Sequence, residues 1–285
     1  MSDKHKIFSA LFRSVFSPGK IDFRTLLTDL ATQALGKSRI DAEAFADANQ
    51  KKYWNWLLAT LDEHARRGLI PYFFVPSSSS YSIECAGHQM ESSSDDGSQL
   101  LGRFVRARPY ILSQIDELTD REYEALACVA CAAIGARDFY LTPPGNEGGI
   151  DFIATLSAGS KSHIFSSQGR EIRVVGQCKK YTSPLAVDRV EQFLQTMQNI
   201  RHRADRVRAH IPSWFNDSTG PIVGWIICHD GFQSGTASEA KQHGLVVADS
   251  VDLAELLSQS EAIAPLGSFE DRAKEIRQKC LALLS

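Results

Sequence analysis

Apolar positions recur at helical spacing from the start of the chain. Ile7, Leu11 and Phe12, Val15 and Phe16 fall on one face of residues 4–16, and Pro18-Gly19 ends the run. This helix reads either as a basic amphipathic arm for a membrane or partner surface, or as a helix packing on its own protein. A second helix is predicted from Asp22 to Leu35, with Gly36 just past its end. A third begins after Asp41 and continues toward Arg67, carrying Phe45, Tyr53, Trp54, Trp56, Leu57 and Leu61. Trp54 and Trp56 cannot share a helical face, so one of them is expected to meet another surface. From Ser77 to Gln99 the pattern dissolves into S-S-S-S-Y and E-S-S-S-D-D-G-S, which predicts a flexible linker or long surface loop.

Beyond that stretch the periods change. Arg103 to Leu112 is expected to be a short strand or connector, with Arg103, Arg106 and Arg108 either open to phosphate or on a solvated face. Thr119 or Asp120 caps a helix, R-E-Y-E-A-L-A-C-V-A-C-A-A-I, that Gly135 stops. Phe139–Leu141 opens a run of strands. The turn Pro143-Pro144-Gly145 follows, and Gly148-Gly149 bends the backbone before Ile150 and Asp151 enter a strand ending near Leu156. Residues 157–170 read as a hairpin loop. In the next strand Ile172, Val174, Gly176 and Cys178 alternate with Arg173, Val175, Gln177 and Lys179, so Gln177 and Lys179 share a face. A helix over Val187–Ile200, a fully buried strand over 222–228, a helix capped by Ser234 or Thr236, a strand over 244–249 and a helix over Val251–Leu257 complete the pattern.

Composition adds limits. The 285 residues are 43% apolar and 23% charged, ordinary for a globular protein, and suffice for one large or two modest domains. A formal charge of −3 excludes a globally basic nucleic-acid coat, yet Lys161 to His210 holds ten Lys and Arg against four acids. The longest apolar run, Ala125 to Gly135, falls short of the roughly 20 residues of a spanning helix, so no membrane role is expected. Six cysteines without a disulfide-type spacing, and no secretory signal, point to a reducing, cytoplasmic location. Cys128 and Cys131 form a C-x-x-C in a helix of alanines without a second pair, so core packing is their expected role, and Cys85 and His88, within the Ser-rich stretch, are too few for a metal.

Candidate chemistry converges on Gly145–Tyr181. An acid after a Gly-Gly turn, a gap, then Gln-x-Lys on a strand resembles the PD-(D/E)xK nuclease core, and in particular the Mrr-type restriction endonucleases, where glutamine stands in place of the second acid. Taken singly, Asp151 could be a turn residue and Q-x-K a chance pair. Order carries the reading: a Glu-bearing helix, a Gly-Gly-x-Asp strand, a loop, the Q-x-K strand, then a helix. E-Y-E-A-L is similar to the family's first helix, which places an acid just after an aromatic; Glu124 holds that position, with Glu122 as fallback. The resemblance spans residues 115–258 and leaves the N-terminal third unassigned.

The resemblance implies an α/β, restriction-endonuclease-like fold: a mixed central sheet flanked by helices, with a separate, mostly α-helical N-terminal module. The expected division is a helical module at 1–76, a linker at 77–100, the catalytic domain at 101–258 and a C-terminal helix at 259–285. It implies hydrolysis of DNA phosphodiester bonds with Mg2+, or Mn2+ as a substitute, held by Asp151, Gln177 through its amide oxygen, the Cys178 backbone carbonyl and Glu124. Such a cation acidifies the attacking water and neutralises phosphate charge, and Lys179 would orient that water and offset developing charge. Lys180, Arg201, Arg203, Arg206 and Arg208 are the expected DNA contacts, unless the run at 201–208 is a solvated loop. Restriction of foreign DNA, a homodimer or higher homo-oligomer, and an N-terminal module that binds a partner or regulator complete the expectation. The alternative is a nuclease fold that has lost catalysis and senses nucleic acid; RNA or branched DNA as substrate also stays open.

Overall fold

The computed structural model describes residues 2–76, 80–145, 148–157, 171–202, 211–260 and 267–285. The chain divides into two compact units, residues 1–113 and 114–285.

The first unit is built on three helices, α1 (Asp3–Arg13), α2 (Phe23–Leu35) and α3 (Arg39–Arg66). The expected punctuation is present: Asp22 accepts the Thr25 N–H at the start of α2, and Gly36 closes it with φ +66°. The α1 helix buries Ile7, Phe8, Leu11 and Phe12 within its own unit, the second of the two readings of that segment. Trp54 lies in the core, edge-on to Phe23 at 5.1 Å. Trp56 is half-buried against Tyr53, with the Lys4 and Lys52 ammonium groups over its ring at 4.9 and 4.7 Å.

The polar stretch 77–100 differs from the expected linker. Ser82–Cys85 forms β3, the central strand of an antiparallel sheet with β1 (Lys20–Asp22) and β2 (Phe73–Phe74). Its alternation of buried Ile83 and Cys85 with Ser82 and Glu84 is a strand signal, masked by the serines around it. Two helices follow, α4 (Ala86–Glu91) and α5 (Asp96–Glu117). Arg103–Leu112, expected as a strand or connector, lies inside α5. Gly102, Val105, Pro109, Leu112 and Ile115 give it a helical buried stripe, and the proline in the middle obscured that period. Arg106 pairs with Glu91, and buried Arg108 donates to the Ile70 carbonyl at 2.8 Å, so neither is open to phosphate as the sequence suggested. Cys85 is buried, and the His88 Nε2 lies 2.7 Å from the Phe16 carbonyl, so both have packing roles.

The second unit carries a five-stranded sheet in the order β4 (Ala136–Leu141), β5 (Phe152–Ser157), β6 (Glu171–Lys179), β7 (Ile222–Cys228), β8 (Val246–Asp249). The first three strands are antiparallel; β6, β7 and β8 are parallel. Ahead of these strands runs α6 (Asp120–Ala133), between them run α7 (Val187–Arg201), α8 (Ser213–Asp217) and α9 (Thr236–Gln242), and α10 (Ser250–Gln259) and α11 (Phe269–Ala282) follow at the end. One core packs Ile153, Val175 and Ile226 of the sheet against Val190, Phe193 and Met197 of α7. The α6 helix runs along β4, β5 and β6, which its small residues permit: Ala125, Ala127, Cys128, Ala130 and Cys131 are all buried. Burial pushes the Cys128 thiol up to about 12 and Cys131 well above the usual thiol range, so the C-x-x-C packs. All six cysteines are free and buried. Among the described residues, no helix is long and apolar enough to cross a membrane.

Candidate active site

Register between β5 and β6 is set beside the site. Phe152 pairs with Gly176, and a Cβ on Gly176 would stand 1.9 Å from the Phe152 ring, so the ring lies directly on the glycine backbone. That contact places Asp151, one residue before Phe152, next to Gln177 and Cys178, just after Gly176. The Asp151 N–H donates to the Gly176 carbonyl at 2.9 Å, and the Cys178 N–H donates to Asp151 Oδ2 at 2.7 Å. Lys179 Nζ lies 3.8 Å from the same carboxylate oxygen.

The α6 helix brings the second acid. Thr119 caps it in a reciprocal capping box with Glu122, whose carboxylate accepts the Thr119 N–H at 2.6 Å. Glu122 is thereby committed to the helix start, and Glu124 is the acid that shares the field of Asp151 and Lys179. Arg121, which the sequence reading passed over, donates to Glu124 Oε2 at 2.5 Å and to the Thr142 carbonyl at 2.6 Å. Its i, i+3 spacing to Glu124 was the available signal.

Burial raises the carboxyl groups of both acids. Asp151 is raised by desolvation, against Lys179, the Cys178 N–H and Arg121. Glu124 is raised by desolvation against the Arg121 bond, with the Asp151 charge adding to the rise. Two desolvated, mutually repelling carboxylates under one lysine favour a bound cation or protonation. The donor set suits a hard cation: two carboxylates, the Gln177 amide oxygen and backbone oxygen, with no sulfur exposed to it. Among the described residues no three or more His, Cys, Asp or Glu gather into a fuller cage, so neutral oxygens and water would complete the shell. Gln177 Nε2 donates to the Gly149 carbonyl at 3.0 Å, so its amide oxygen is the atom that could serve a cation.

Other expected residues lie elsewhere. Lys180 Nζ donates to the Asp116 carbonyl at 2.7 Å and to the Leu118 carbonyl, capping the end of α5 rather than standing free for DNA. Arg201 is exposed in the last turn of α7, while Arg203, Arg206 and Arg208 and the 157–170 loop beyond Ser157 fall outside the described residues, as does Glu147 in the turn before Asp151. His229 and Asp230 form a bridge at the end of β7: the imidazole lies 2.9 Å from Asp116 Oδ1 and 3.1 Å from Asp230 Oδ1.

A mixed sheet with an acid at the head of one strand and Q-x-K on its neighbour defines a restriction-endonuclease-like domain. The family model Mrr_cat, restriction endonuclease, matches residues 115–257, and the chain belongs to that family. Members of the family generally use divalent metal ions. No curated protein gives a match to the sequence. Two solved structures are similar in fold. MspJI restriction endonuclease in complex with a 27-mer oligonucleotide is 18% identical with a TM-score of 0.39, covering 66% of this chain and 36% of that one. The DNA modification-dependent restriction endonuclease AspBHI is 16% identical with a TM-score of 0.39, covering 63% and 40%. This chain thus spans about two fifths or less of the length of either.

Proposed function

We propose that this protein is a divalent-metal-dependent endodeoxyribonuclease of the Mrr-like, type IV kind, acting in the cytoplasm in restriction of foreign DNA. The observation that carries the reading is Asp151: a mostly buried carboxylate, raised by desolvation, with Lys179 at 3.8 Å and Glu124 in its field. A structural ion pair would satisfy such a carboxylate more fully; a site awaiting Mg2+ or Mn2+ leaves it under-neutralised.

When bound, the cation would neutralise phosphate charge and acidify water. Asp151 and Glu124 would hold it by carboxylate oxygens, Gln177 by its amide oxygen and Cys178 by its backbone carbonyl. The chain's own contribution lies in orientation and charge. Lys179 orients the attacking water and offsets negative charge as the new oxygen–phosphorus bond forms and the bond to the leaving ester oxygen breaks. The attacking water gives up its proton to solvent, and the ester oxygen departs with one taken from solvent. Arg121 keeps Glu124 oriented without occupying Asp151. Arg201, with Arg203, Arg206 and Arg208, supplies phosphate contacts, and a homodimer would cut both strands. The helical first unit would provide recognition or regulation.

The Asp151→Asn substitution tests this. It keeps the acceptor for the Cys178 N–H and removes the charge. DNA binding by gel shift should persist while cleavage falls by at least about a hundredfold. Cleavage by Asp151→Asn at the wild-type rate would remove the assignment.

A further inference from the structure

Four consecutive carbonyls, Gly148 to Asp151, accept hydrogen bonds from side chains. Thr196, on α7, donates to Gly148 at 3.1 Å. Gln177 Nε2 donates to Gly149 at 3.0 Å. The Thr142 hydroxyl, just past β4, lies 2.5 Å from the Ile150 carbonyl and 3.0 Å from that of Asp151. The β5 strand begins only at Phe152, so Gly148 and Gly149 lie ahead of its ladder, and side chains from α7 and β6 hold them. Gly149 has φ +68°, and a Cβ there would meet Thr196 Oγ1 at 3.2 Å and Gln177 Nε2 at 3.3 Å. Two donors close on one glycine from two different elements.

The geometry points to Thr196 as a positioning residue for the nuclease site. With Gln177 it clamps the Gly148-Gly149 turn and so sets where the Asp151 carboxylate stands relative to the Gln177 amide oxygen. The inference rests on the nuclease reading above. Thr196 also has an acceptor within its own helix, the Gln192 carbonyl, but at 3.4 Å that is the longer bond. The hydroxyl is therefore turned out of α7 toward the turn. Gln177 takes two parts: its nitrogen holds Gly149, and its oxygen faces the ligand role. A carboxylate at 177 has no donor and would set oxygen against the Gly149 carbonyl, losing the bond that holds the turn. This gives a physical reason for an amide at 177, where charge alone would favour an acid.

The test compares wild type, Thr196→Val, Thr196→Ser and Gln177→Glu, using Mn2+ alone as probe. The readouts are the Mn2+-induced rise in Tm and the Mn2+ concentration for half-maximal plasmid cleavage. Thr196→Val should unfold in EDTA within about 4 °C of wild type. It should need about ten- to a hundredfold more Mn2+ in both assays, with Thr196→Ser close to wild type. Gln177→Glu, independent of how well Thr196→Val folds, should bind Mn2+ more weakly despite its added charge. Wild-type Mn2+ response in Thr196→Val, or tighter binding by Gln177→Glu, overturns the clamp while leaving the nuclease reading intact. Absence of any Mn2+ response in the wild type overturns both.

Discussion

Burial works against Asp151 and Glu124 in the metal-free protein. A carboxyl group whose folded-state value lies above its unfolded value binds protons more tightly when folded. Stability is therefore lost as pH rises through the carboxylate range and regained as pH falls. Removing the charge should remove that cost: in EDTA near neutral pH, Asp151→Asn is expected to melt at or above the wild-type Tm, with the difference vanishing on acidification. A lower Tm at neutral pH would show that the Lys179 pair outweighs desolvation. Gln177 and Lys179 were legible as one strand face from alternation, and Asp151 was joined to them by the order of elements that resembles the family's. Thr196 and Thr142 were not, because their partners are backbone carbonyls 48 and 8 or 9 residues away, which no side-chain pattern announces, and Arg121 offered only its i, i+3 spacing to Glu124 and not its bond to a carbonyl 21 residues on. Lys180 shows the converse. It adjoins Lys179 in sequence, but its ammonium serves the end of a helix more than 60 residues upstream.

At the scale of elements, the ends of β6 and β7 are joined to the end of α5. The His229 N–H donates to the Lys179 carbonyl at 2.9 Å, its ring bridges Asp116 and Asp230, and Lys180 caps the same helix end. Desolvation alone would lower the His229 imidazole, but the bonds to Asp116 and Asp230 leave it raised above 6.5. Its contribution to stability is therefore full below the ordinary histidine value and is lost as pH rises through the raised one. The Tm gap between wild type and His229→Gln should be largest at about pH 6 and close toward alkaline pH. A gap that widened with pH would contradict the assigned charge. Most strands and helices of residues 119–258 were legible, the helices from their apolar spacing and β7 from its unbroken apolar run, while the five-residue α8 was not. The β3–α4–α5 segment was not: serine-rich composition hid a four-residue strand, and Pro109 hid the helix that follows.

For the whole molecule, the sequence pattern located the nuclease-like half, and the family match covers residues 115–257, while the first unit is a fold of helices and a small sheet. Its role was not legible because its aromatic residues, Trp54 among them, are largely spent on its own core. The chain is −3 overall, so the DNA contact proposed above would rest on local rather than net charge. Lys179 beside Asp151 is what the proposed metal-dependent phosphodiesterase depends on. Purified protein incubated with supercoiled plasmid in Mg2+, Mn2+ or EDTA, with Lys179→Ala alongside, tests it most directly. Nicked or linear product is expected in the metals, none in EDTA, and none from Lys179→Ala. Cleavage that persists in EDTA, or that Lys179→Ala carries out as fast as wild type, would contradict it.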